Sequence, residues 1–113
     1  MQLRNLHSDQ IISDDVGIAA NFTSRFFGLM GKRTMELKKC LWITRCNSVH
    51  TCFMNFAIDV VFLDQDMKVV AIKEKVKPWK FTWPVIGAKS VLEFYEQNIG
   101  TKMKLGDQLH VGN

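Results

Sequence analysis

The chain has 113 residues, enough for one domain that buries roughly two thirds of its unfolded surface, so residues 1–113 are expected to form a single domain. Hydrophobic residues make up 47% and charged residues 23%, which excludes a disordered or collagen-like chain. Fifteen basic residues against eleven acidic ones leave a formal charge of +4, an excess that can favour anionic ligands but falls short of a dedicated nucleic-acid binder.

From the N-terminus, Leu3, Leu6, Ile11, Ile12, Val16 and Ile18 are interrupted by Ser8-Asp9 and Ser13-Asp14-Asp15, the pattern of short strands joined by tight turns. Asn21 and Thr23 can both cap a helix, and Phe22, Phe26, Leu29 and Met30 fall on one face of it before Gly31 ends it. From Cys40 the period changes to two, with β-branched and aromatic residues predicting strands over Leu41–Thr44, Ser48–Met54, Ile58–Leu63 and Lys68–Val76. Both faces of Ile58–Leu63 are apolar apart from Asp59, which places that strand in the sheet interior. Asp64-Gln65-Asp66-Met67 is the expected hairpin turn into the next strand, where Val70, Ile72 and Val76 should face one way with Glu74, and Lys73, Lys75 and Lys77 the other, into water.

Pro78-Trp79-Lys80-Phe81-Thr82-Trp83-Pro84 follows as an aromatic loop stiffened by proline at both ends. A strand over Ser90–Phe94, a helical turn from Glu96 to Thr101, and a turn at Gly106-Asp107 into Gln108–Val111 complete the chain. Many short strands with one or two short helices predict a mainly β fold: an antiparallel β-sandwich of jelly-roll type, or a partly closed barrel.

Thr23-Ser24-Arg25-Phe26-Phe27-Gly28-Leu29-Met30-Gly31, Val49-His50-Thr51-x-x-Met54, Ile58–Asp64, Val91-Leu92-Glu93 and Gly106-Asp107 occur in an order and spacing that resembles the family called domain of unknown function 192. The resemblance extends over nearly the whole chain. It implies a small, mostly β, jelly-roll-like domain of bacteria and archaea with no established activity. Met67 stands where the family's hairpin usually carries glycine, and Ala57 where it usually has proline.

Three cysteines, Cys40, Cys46 and Cys52, cannot all pair within one chain and form no Cys-x-x-Cys motif, so reduced thiols in the cytoplasm are the simplest expectation. The first residues carry no charged head followed by an apolar stretch, and no membrane span is visible; a chain stripped of an export signal would read the same.

His50 is the first candidate for chemistry, because imidazole titrates near neutrality and ligates metals; the plainer reading is a structural histidine hydrogen-bonded within a sheet. Cys46, His50 and Met54 form a soft donor set, but on an extended strand each four-residue gap spans roughly 13 Å, too far to share one ion. No metal site and no cofactor are therefore expected. Asp59, a carboxylate in an apolar strand, needs a partner, and Arg25 is the candidate for a structural ion pair. Trp79, Phe81 and Trp83 with Lys77 and Lys80 form either a stacking platform or a lid over the core. No recognised catalytic motif is present. The leading expectation is a module that binds a small molecule or a protein through Arg25, His50, Trp79, Lys80 and Trp83, with no nucleic acid as partner. The alternative is a small hydrolase or metal-dependent enzyme using His50 with Asp59 or Cys52.

Overall fold

The structure, a computed structural model, describes residues 1–19, 40–48, 57–77, 79–94 and 98–112. Strands β1 (Gln2–Asn5), β2 (Gln10–Ser13), β3 (Val16–Ala19), β4 (Cys40–Thr44), β5 (Ile58–Leu63), β6 (Val69–Val76), β7 (Ser90–Phe94) and β8 (Leu109–Gly112) form two sheets. One is three-stranded, in the order β2-β1-β8; the other is five-stranded, in the order β3-β4-β7-β5-β6. The helical turn near residue 100 is a single 3-10 turn, Ile99–Thr101. The expected helix over residues 23–30 and most of the expected strand Ser48–Met54 lie outside the described residues.

The mainly β, sandwich-like architecture follows from the burial of the strands. β5 lies between β6 and β7 and is buried along its whole length, as its two apolar faces require. Its residues Val61 and Leu63, with Leu92 and Phe94 of β7, pack with Leu3, Ile12 and Leu109 of the smaller sheet and make the inter-sheet core. Its even-numbered residues, Ile58, Val60 and Phe62, join Ile43 and Val91 in a second cluster on the outer face, onto which Val85 and Ala88 fold from the loop before β7. The two sheets are stitched at one corner: Val69 N–H donates to the Asp107 carbonyl, and Leu109 N–H to that of Met67.

Three features depart from the sequence reading. β7 inserts between β4 and β5, and β3 runs parallel to β4, with Val16 opposite Cys40, so antiparallel pairing holds for every strand pair but this one among the described residues. A parallel pair needs a long crossover, and residues 20–39 separate the two strands. Second, β6 does not keep a period of two. Bulges opposite Phe62/Leu63 and Ile58/Val60 shift its phase, so Ile72 packs into the inter-sheet core while Val70 and Val76 join the outer cluster. Third, the chain leaves β4 through Arg45 in the left-handed region, φ 56°, and the residues from Cys46 to Ser48 are not strand.

Local chemistry explains the turns. Asp64 Oδ1 accepts from the N–H groups of Asp66 and Lys68, which fixes the β5–β6 hairpin, and Met67 takes φ 64°, the left-handed position that a glycine would occupy without strain. Beside this hairpin, Asn5 Nδ2 donates to Asp107 Oδ2 at 2.8 Å and to the Lys102 carbonyl at 3.1 Å, while Lys104 N–H donates to the same Asp107 oxygen. The Gly106-Asp107 motif is thus a clamp joining β1 to the start of β8.

Candidate functional site

The segment after β6 carries the aromatic loop on the outer side of the five-stranded sheet. Bulging puts Lys75 at φ 54°, and its N–H donates to Asp59 Oδ1 at 2.8 Å. The buried Asp59 carboxylate therefore has a backbone partner, one that sequence reasoning missed because a bulge donor has no side-chain signature. Arg25, the expected ion-pair partner, lies outside the described residues, as do His50, Cys52 and Met54.

Beyond β6 the chain turns outward. Trp79 adopts φ 63°, rare for a bulky residue, and Trp79, Phe81 and Trp83 are 62%, 65% and 77% exposed. These side chains do not seal the core, and the lid reading is set aside. Phe81 and Trp83 meet edge to face, with ring centroids 5.4 Å apart and planes at 72°, the arrangement favoured by the aromatic quadrupole. Between this pair and the end of β6 opens a groove of about 500 Å³, within the size range of small-molecule sites. Val76 and Val85 line its apolar part, Thr82 offers a hydroxyl, and Lys73 and Lys80 supply positive charge. Of the residues expected at a site, Lys80 and Trp83 line this groove, whereas Trp79 stands beside it.

The loop is held by its last residues. Ala88 N–H donates to the Val85 carbonyl across a turn with Ile86 and Gly87 at its centre, and Gly87 takes φ 86°, which a β-carbon would oppose. Val85 N–H donates to the Asn47 carbonyl and Cys46 N–H to that of Lys89. These bonds create a second, polar depression of about 260 Å³ lined by Arg45, Cys46, Asn47, Ala88 and Lys89. Sequence reading did not single out Arg45 or Lys89, and only the fold brings them together.

Among the described residues, three further ionisable groups are buried: Cys40, Glu93 and Asp107. Cys40 is a buried free thiol, and burial, then the charges of Glu93 and Asp15, push its pKa well above the ordinary thiol value, so it is no nucleophile. Glu93, named in the Val91-Leu92-Glu93 motif, is fully buried in β7. Burial pushes the Asp107 carboxyl up, but the Asn5 amide, the Lys104 N–H and the charges of His7 and Lys104 pull it down and together prevail, leaving it below the usual value. Among the described residues, no group of three His, Cys, Asp or Glu side chains is placed to hold a metal ion, and no helix is long and apolar enough to cross a membrane.

Comparison with known proteins bears on family and fold. The profile of the domain of unknown function 192 family, described as "Uncharacterized ACR, COG1430", matches residues 4–111. A UPF0127 protein of Pyrococcus furiosus is 37% identical over 94 residues, covering 79% of this chain and 78% of its own length. A UPF0127 protein of Thermococcus sibiricus is 37% identical over 95 residues, 80% of this chain, which spans 61% of that longer relative. In structure, a protein of unknown function from Novosphingobium aromaticivorans superposes with a TM-score of 0.75 at 17% identity, covering 97% of this chain and 82% of its own, a likeness of fold. The chain belongs to the domain of unknown function 192 family, in which no activity is established.

Proposed function

We propose that this chain is a binding module on a jelly-roll-like sandwich, and that its ligand site is the groove between the end of β6 and the aromatic loop. The observation that carries this reading is the exposed Phe81–Trp83 pair facing Lys73 and Lys80 across an apolar floor. Such a lining suits a small molecule with a flat apolar body and an acidic group: ring edges and valines cover the body, and ammonium groups meet the charge. Left-handed backbone at Lys75 and Trp79 costs on the order of 1–3 kcal/mol each, a strain that native proteins tend to retain where it positions a site. Arg25 and His50 remain candidate contributors, and free thiol at Cys40 accords with a cytoplasmic setting.

The enzymatic alternative has less support. Asp59 holds the β6 bulge through the Lys75 N–H, so a role as general base would compete with a structural one. Thermal-shift screening against small acids, sugars and nucleotides tests the binding reading. A ligand at about 100 times its Kd adds ~2.7 kcal/mol and raises the melting temperature by several degrees. That rise is expected with an aromatic acid and is expected to vanish in Phe81→Ala. A response that survives Phe81→Ala and Lys80→Ala together would place the ligand elsewhere.

A further inference from the structure

From Lys75 to Leu92 the sequence contains Lys75, Lys77, Lys80 and Lys89 and no carboxylate. Of the nine large hydrophobic side chains exposed among the described residues, four lie in this segment. Ile86 is 99% exposed at the tip of its turn, and Trp79, Phe81 and Trp83 stand on the chain leading to it. Cations flank this tip on both sides. Lys73 and Lys80 line the groove on one side, Arg45 and Lys89 the polar depression on the other, and neither lining includes an acidic residue. Arg45 stands where the chain leaves β4 through left-handed backbone, φ 56°.

We infer that the 79–89 loop docks the protein peripherally on an anionic lipid surface, with Ile86 and the indoles entering the headgroup region and Arg45, Lys73, Lys80 and Lys89 meeting the lipid phosphates. A lipid surface accounts for two features that a soluble ligand does not. A groove ligand cannot cover Ile86, which lies outside the groove, whereas an acyl boundary can. Exposed tryptophan and phenylalanine flanked by lysine match the interface, where aromatic rings settle at headgroup depth and lysine stems extend toward phosphate. A single-stranded nucleic acid fits less well, because Phe81 and Trp83 cross at 72° and offer no pair of parallel faces for successive bases, while Ile86 offers no stacking face. The inference goes beyond the groove reading and does not depend on it.

The test is co-sedimentation of the full chain with vesicles of equal parts phosphatidylcholine and phosphatidylserine, against pure phosphatidylcholine, with tryptophan emission recorded. Binding to the anionic vesicles alone, weakened by salt and accompanied by a blue shift, is expected. Lys89→Ala should lower the partition coefficient about fivefold, the factor for one cation at an anionic surface, and Ile86→Ser should lower it several-fold at any salt concentration. Both side chains are exposed, and far-ultraviolet circular dichroism checks that each variant folds. Absence of binding, equal binding to neutral vesicles, or binding to polyglutamate or a single-stranded oligonucleotide in place of vesicles would overturn the inference. Vesicle binding without any small-molecule response in thermal shift would support docking and count against the groove reading; the reverse pattern would overturn docking alone.

Discussion

Removing the Asp107 carboxylate should destabilise the protein in a way that depends on pH. In Asp107→Ala, Asn5 Nδ2 keeps only the Lys102 carbonyl and the Lys104 N–H loses its acceptor, so two hydrogen bonds to a charged group disappear from the junction of β1 and β8. Asp107 is only 4% exposed, yet it lies in an outer turn that water can reach once the side chain is cut back. The lower end of the usual range therefore applies, about 1–1.5 kcal/mol per bond and ~2–3 kcal/mol in all. For a domain of this size that corresponds to a melting temperature lower by about 10 °C at pH 7. The sign with pH follows from the direction of the shift. Because the folded carboxyl sits below its unfolded value of about 3.9, its contribution is complete well above that value and is lost as pH falls through the folded pKa. Urea denaturation of wild type and variant between neutral pH and pH about 2 measures this, and the two curves should converge in acid. A difference that stays constant across the range, or none at pH 7, would refute the clamp.

Three further outcomes are expected. Phe62→Ala empties a fully buried position of the outer cluster and should cost ~3–5 kcal/mol in urea or thermal denaturation, without a change in vesicle binding per folded molecule. Asp59→Leu leaves the Lys75 N–H without its acceptor and should cost ~1–3 kcal/mol, with faster amide exchange at Lys75 than in wild type. Cys40 should resist iodoacetamide at pH 8 in the native protein and react once urea is added, as peptide mass mapping would read; ready native labelling would contradict the raised thiol pKa.

Which segments form strands could largely be read from period and composition, because Ile58–Leu63 and Ser90–Phe94 are buried strands whose apolar runs have no helical alternative of that length. Pairing was harder to read. Alternation assumes an unbroken ladder, so nothing in Val70, Ile72 and Val76 reveals that two bulges, one on each side of Ile72, send it to the face opposite Val70 and Val76. The parallel β3–β4 contact joins segments twenty residues apart, a separation local signals do not span. Asn5 offered a missed clue: a polar residue in step with Leu3 across an otherwise alternating strand marks a buried amide in need of a partner, and Asp107 supplies it. At the site, tryptophans between prolines read equally as platform or lid, since sequence states the residues of a loop but not the side of it that meets water. Exposure decided that question for Trp79 and Trp83, while Arg45 and Lys89, distant in sequence, became neighbours only through the hydrogen bonds of Cys46 and Val85.

The most direct test of a recognition surface at the 79–89 loop is a nitrogen–proton correlation spectrum of labelled protein, titrated first with small aromatic acids and then with anionic lipid nanodiscs. The acids should shift the amides of Lys73, Val76 and residues 80–85, and the nanodiscs should broaden those of Ile86, Gly87 and Lys89 first. Shifts confined to the β1–β8 end of the molecule, with the loop amides unmoved by either addition, would contradict it.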